Sequence, residues 1–148
     1  MIADGFSAEA TVAFIKDWCE NSVAIFVPYT LKYAAKSGRI PAIAAHMGNA
    51  LGIRPVMRLH DHQIVAVGKV RSEKNIIPEV IQRSTMEMLG GSPYCVIYGS
   101  DESLREEIAA RMTERLGYPP ADAYQIGAAI ATNSGPKIIG LAYVKKKT

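Results

Sequence analysis

Five short apolar runs limit what this chain can become: Val23–Val27, Ile53–Leu59, Gln63–Val70, Tyr94–Tyr98 and Ile138–Val144. None reaches the ten or so residues a buried helix needs, and most are rich in β-branched or aromatic side chains, so each is expected to be a strand. The segments between them carry the helical period instead. Ser7 is a suitable N-cap for a helix to Glu20 with Ala10, Phe14, Ile15 and Trp18 on one stripe. Thr30–Lys36 reads as a short helix stopped at Gly38, and Pro41 opens another that runs to Leu51 and ends at Gly52. Asn75 and Pro78 start a helix carrying Ile81, Met88 and Leu89 to Gly90. Ser100 or Asp101 caps one in which Leu104, Ile108, Met112 and Leu116 recur every fourth residue, leaving Glu107, Arg111 and Arg115 to solvent. The runs 53–59 and 63–70 meet at His60, Asp61 and His62, which predicts an antiparallel hairpin. A further strand near Ala123–Ile126 follows the turn at Pro119 and Pro120. The sequence therefore predicts an α/β fold with an α+β tendency, a mixed β-sheet with an inserted hairpin, covered by helices.

With 148 residues the chain is one domain, and a composition of 49% hydrophobic and 21% charged residues excludes disorder as its main state. No apolar run approaches the roughly 18 residues of a membrane span, and Met1–Phe6 does not read as a secretory leader, so a cytoplasmic protein is expected. Cys19 and Cys95 lie among apolar neighbours without a CxxC spacing, which predicts two buried thiols and neither a disulfide scaffold nor a zinc knuckle.

The net charge of +3 is unevenly spread. No Asp or Glu occurs between Glu20 and Asp61, where Lys32, Lys36, Arg39, Arg54 and Arg58 fall, nor after Asp122, where Lys137 and Lys145–Lys147 fall. If those two stretches meet in space they form an anion-attracting face; otherwise they are scattered solvated charges. No aromatic-interleaved basic motif accompanies them, so no nucleic-acid partner is expected.

Catalytic motifs are missing. There is no G-x-S-x-G, no GxGxxG and no GxxxxGK[ST], so neither a hydrolase nucleophile nor a phosphate-cradling loop is expected, and no enzyme activity or cofactor. His60 and His62 with Asp61 between them could hold a metal, but such residues are ordinary at a hairpin tip and no metal site is expected. Two junctions could receive an anion on backbone N–H groups. Gly99–Glu102 already carries Asp101 and Glu102 in its first turn. The Gly127–Pro136 connection is acid-free, with small residues that allow close approach and hydrogen-bonding side chains on Thr132, Asn133 and Ser134; a plain turn is the alternative. Arg39, between a helix stop and a helix start, is either solvated or part of a carboxylate site. The helix after it is rich in Ala and Gly, with Ile43, Met47 and Leu51 as an apolar stripe, so it either packs closely or leaves a slot for an acyl chain.

Taken in order, these segments resemble the DegV family over nearly the whole chain. Tyr29-Thr30-Leu31-Lys32-Tyr33 running into Ser37-Gly38-Arg39-Ile40 is similar to the family's D-x-L-x-Y-L-x-x-G-G-R-I. Leu51-Gly52-Ile53-Arg54-Pro55-Val56 is similar to L-L-x-I-K-P-I, and Val67–Arg71 to the strand end E-K-V-R. Ile126-Gly127 followed by Thr132-Asn133-Ser134-Gly135-Pro136 and Gly140 resembles I-G-x-x-x-x-T-H-T-G-P-G-x-x-G. Asn133 stands at the family's histidine, Lys137 at the glycine after the proline, and Ser37 at the first glycine of GGRI.

The resemblance implies a non-enzymatic protein that holds one fatty acid between two α/β domains and presents its carboxylate to a fatty-acid kinase. It implies a headgroup set of Arg39, Gly127, Thr132, Asn133 and Ser134, and a tail lining of Ile40, Ile43, Met47 and Leu51. Only the family's second domain is represented, so residues 1–21 are expected to form the helix leading in from a missing N-terminal domain. A half-pocket would expose its apolar wall, which predicts a homodimer, a separately encoded N-terminal partner, or a truncated remnant acting as a ligand-free interaction subunit.

Overall fold

The computed structural model describes residues 5–38 and 52–147. Its elements are α1 (Ala8–Asn21), β1 (Ser22–Pro28), α2 (Lys32–Lys36), β2 (Arg54–His60), β3 (Gln63–Val70), α3 (Ile76–Glu87), β4 (Tyr94–Tyr98), α4 (Glu102–Leu116), β5 (Asp122–Gln125), α5 (Ala128–Ser134) and β6 (Ile138–Val144). The six strands form one mixed sheet in the order β3-β2-β1-β6-β4-β5, in which β4 and β5 are parallel and every other pair antiparallel. The expected architecture is thus present. The hairpin turns on Asp61 and His62, both at positive φ, as a two-residue loop between twisted strands requires.

Alternation along β1 sorts the sheet into two unlike faces. Val23, Ile25 and Val27 point to one side and join Val56, Tyr94, Val96, Ile139, Leu141 and Tyr143 beneath α3 and α4, whose Ile77, Val80, Ile108 and Met112 complete a dry core. Each such aliphatic side chain contributes about 1.5–3 kcal/mol of gross burial energy, so this face carries the stability. Among the described residues, α2 and α5 lie against part of the opposite face.

Several expectations change. The 127–136 connection is not a loop, because residues 128–134 are helical. Cys19 is exposed and Cys95 half-buried, so neither is a buried thiol. The N-terminal helix forms where expected, with Ser7 Oγ accepting from the Ala10 N–H at 3.1 Å, yet none of its residues is buried and Val12, Phe14, Ile15 and Trp18 are exposed. Among the described residues no helix is long and apolar enough to cross a membrane, and no three His, Cys, Asp or Glu side chains converge as a metal site.

Candidate functional site

The site lies on the second face of the sheet, beside α2 and α5. Phe26 and Pro28 of β1, Met57 of β2 and Ile64 of β3 floor a slot of about 240 Å³, walled by Thr30, Leu31 and Ala34 on one side and Ala129, Ile130, Asn133 and Ser134 on the other. Its surface is mostly apolar. Ile64 is 58% and Ile130 53% exposed, so the rim presents aliphatic groups to solvent where a closed core would hide them.

Backbone bonds position the two helical walls. Tyr29 N–H donates to Lys137 O at 3.0 Å, tying the end of β1 to the residue before β6. Arg54 Nε donates to Tyr29 O at 2.9 Å while its Nη2 lies 2.6 Å from Glu73 Oε1, so the guanidinium holds the turn leading into α2. Lys137 Nζ sits 4.6 Å from the centroid of the Tyr29 ring and 3.2 Å from Asp101 Oδ2. Burial, then the nearby Glu73, Glu107 and Asp101 carboxylates, push the Tyr29 hydroxyl up to about 12, so it is a neutral donor at physiological pH.

Three polar side chains, Thr30, Asn133 and Ser134, line the slot. Thr30 Oγ1 accepts from the Lys32 N–H at 3.2 Å, which leaves its own proton for a ligand. Asn133 Nδ2 donates to Ala129 O at 3.0 Å, leaving its carbonyl oxygen and its second amide hydrogen. Ser134 Oγ bonds back to Ile130 O at 3.1 Å. Of the residues expected from sequence, Asn133 and Ser134 therefore line the slot. Thr132 and Gly127 do not. The Thr132 hydroxyl is turned back to the carbonyls of Ala128 and Ala129, and Gly127 is the N-cap of α5. Arg39, Ile40, Ile43, Met47 and Leu51 lie outside the described residues. Thr30 was missed by sequence reasoning. Its signal was present, since it follows Pro28 and Tyr29 at a strand end, but a helix-start role accounted for it.

The acid-poor stretches do meet, because β1 pairs with both β2 and β6. Much of their charge is nonetheless neutralised by acids from elsewhere in the chain: Arg54 by Glu73, Arg58 by Glu87, Lys137 by Asp101 and Lys147 by Asp17. Among the described residues, Lys32 and Lys36 of α2 are the cations of these stretches nearest in sequence to the slot wall, and neither forms an ion pair there.

A family model for an uncharacterised protein of the DegV family matches residues 1–146. A DegV domain-containing protein of Clostridium perfringens is 29% identical over 136 residues, covering 89% of this chain and 47% of the relative. The chain spans about half the length of the curated relatives it matches. Among solved structures, a stearic acid-binding protein from Eubacterium ventriosum superimposes with a TM-score of 0.82 at 24% identity, over 99% of this chain and 52% of that one. The Fatty Acid Kinase (Fak) B3 protein of Streptococcus pneumoniae, loaded with linoleic acid, does so with a TM-score of 0.81 at 16% identity, over 98% and 52%. At these identities the structural likeness is one of fold.

Proposed function

The chain belongs to the DegV family, and from that premise we propose that it binds a long-chain fatty acid and presents the carboxylate to a fatty-acid kinase, doing no chemistry on it itself. The observation that carries the reading is the slot beside α2 and α5, mostly apolar, with Thr30, Asn133 and Ser134 as its polar lining residues. Apolar walls with a few convergent polar groups suit an amphiphile whose one hydrophilic group must be fixed in place. The carboxylate accepts from Thr30 and Asn133, with Arg39, one residue beyond Gly38, supplying the positive charge; Ile40, Ile43, Met47 and Leu51 extend the tail wall. The remaining wall comes from the part of the family's length that this chain does not span, whether joined to it or separate. The stearic acid-binding protein from Eubacterium and the linoleic acid-loaded one from Streptococcus support the ligand class, and the kinase name of the latter supports the partner.

Purification under native conditions followed by solvent extraction should return a fatty acid near one per chain or per dimer. Arg39→Ala should weaken rebinding by about tenfold or more, the worth of one charge-assisted hydrogen bond. Thr30→Val, which keeps the shape and removes the hydroxyl, should weaken it by severalfold. A protein that carries no lipid and takes none up in titration ends the proposal. A second reading, a ligand-free interaction subunit, draws on the exposed apolar stripe of α1. Lipid-free protein that self-associates in sedimentation, and loses association in Trp18→Glu, would favour it.

A further inference from the structure

Among the described residues the sheet ends at β3, which pairs with β2 on one side and with no strand on the other. Its open edge is unevenly guarded. Toward the end of the strand Val67 is the extra residue of a bulge, since Gly68 faces Val56 and Ala66 faces Met57; there Arg83 Nη1 donates to Val67 O at 2.9 Å and the guanidinium lies over Gly68. Among the described residues, the stretch before the bulge has no such cover. Gln63 closes the two-residue hairpin against His60, so Gln63 and Val65 turn their N–H and C=O groups toward β2, and alternation leaves those of Ile64 and Ala66 on the open edge. Ile64 and Val65 are 58% and 43% exposed, and neither a proline nor a charge between Gln63 and Ala66 discourages pairing.

We infer that this edge pairs with the same edge of a second copy of the chain, antiparallel about a two-fold axis at Val65, so that two sheets become one. The backbone and the charges fix the register. An axis at Val65 sets Ile64 of each copy against Ala66 of the other, each pair exchanging both hydrogen bonds, while Val65 meets its own counterpart in the non-hydrogen-bonded position. The same count brings Asp61 level with Lys69 of the other copy. Both are exposed, and among the described residues no ion pair includes Asp61, Lys69 or the nearby Arg71. An acid at one end of the strand and bases at the other are matched twice when the edge pairs antiparallel with itself, which favours a second copy as the occupant. Moving the axis to Ala66 would draw Gly68 and the Arg83 guanidinium into the pairing, so the guarded end selects the register. The paired stretch is short, which places the dimer at the weak end of specific interfaces and makes it concentration-dependent. None of this rests on the fatty-acid reading, so the lipid content of the protein does not decide it.

The test is sedimentation velocity on the whole chain from micromolar to submillimolar concentration, where the dimer fraction should rise. Ala66→Pro should remove the dimer, because its amide faces the open edge and proline there costs no bond to β2. Asp61→Asn, which tolerates the same positive φ, should weaken it severalfold. In a Cys19→Ser background, Val65→Cys should be oxidised by diamide to a symmetric disulfide dimer, since facing Cβ atoms in such a pair lie about 4.5–5.5 Å apart; Ile64→Cys and Ala66→Cys, each facing the other residue, should not. Circular dichroism checks folding, and where Ala66→Pro fails that check the cysteine series decides. A wild type that stays monomeric throughout, a folded Ala66→Pro that still dimerises, or cross-linking alike at all three positions overturns the pairing. So does a dimer lost in Trp18→Glu and kept in Ala66→Pro, which places the contact on α1.

Discussion

Alanine in place of Gly99 is expected to destabilise the protein by about 3–5 kcal/mol, at the severe end for one added methyl group. A Cβ at this position would lie 1.8 Å from Pro136 O and 2.8 Å from Pro136 C, both backbone atoms. Neither side can yield cheaply. The Gly99 N–H donates to Ile138 O at 3.0 Å and the Ser100 N–H to Pro136 O at 2.8 Å, while Gln125 Nε2 donates to Gly99 O at 3.1 Å. Moving Pro136 also strains Lys137, whose carbonyl accepts from Tyr29 and thereby sets the walls of the slot. Urea denaturation measures the loss, and Gly90→Ala is the control: nothing lies within 4 Å of its added Cβ, so its stability should change by no more than about 0.5 kcal/mol. A loss below about 1 kcal/mol in Gly99→Ala would show that the backbone crossing at Pro136 is looser than described, and ligand affinity should fall wherever the crossing shifts.

How far the sequence alone carried varies from element to element, for physical reasons. Tyr94–Tyr98 and Ile138–Val144 were read to the residue because both are short apolar runs in central strands, bounded by Pro and Gly or by charge. The hairpin was legible from its two β-branched arms. The order of strands was not, since nothing local tells β1 that β6 is its neighbour more than a hundred residues later. Residues 128–134 were read as a connection because Thr, Asn and Ser are weak helix formers. They stay helical with each side chain bonding to the helix's own carbonyls, Thr132 to Ala128, Asn133 to Ala129 and Ser134 to Ile130. The stripe on α1 shows the limit of periodicity: Phe14 and Trp18 recur as a buried face would, yet remain exposed, because period reports which residues share a side and not what covers it. At the site, Asn133 and Ser134 were legible through the family motif, whereas the slot they line needed the α2–α5 contact that only the fold provides.

Stability should fall as pH rises above about 10, and Tyr143 should be a main cause. This side chain is 3% exposed, and its hydroxyl donates a short hydrogen bond to Glu87 Oε1, which Arg58 also contacts. Burial, followed by the bond to Glu87 and that carboxylate's charge, raises the Tyr143 hydroxyl far above the ordinary tyrosine range; burial likewise holds Tyr29 at about 12. The unfolded chain releases these protons near pH 10 while the folded chain keeps them. The native state then binds more protons, so the stabilisation is fully present below pH 10 and declines as pH rises toward the folded values. For Tyr143 the slope is about 1.4 kcal/mol per pH unit, roughly 3 kcal/mol between pH 10 and 12; half-buried Tyr29 adds less because solvent screens it. Urea midpoints across that window report the decline, and lysines titrating there contribute alike to wild type and variant. Tyr143→Phe isolates the effect: it should flatten the slope by nearly the full amount while leaving Arg58 to pair with Glu87. An unchanged slope would mean that the Tyr143 hydroxyl ionises in the fold as easily as in the unfolded chain, which is incompatible with its place between α3 and β6 against a carboxylate.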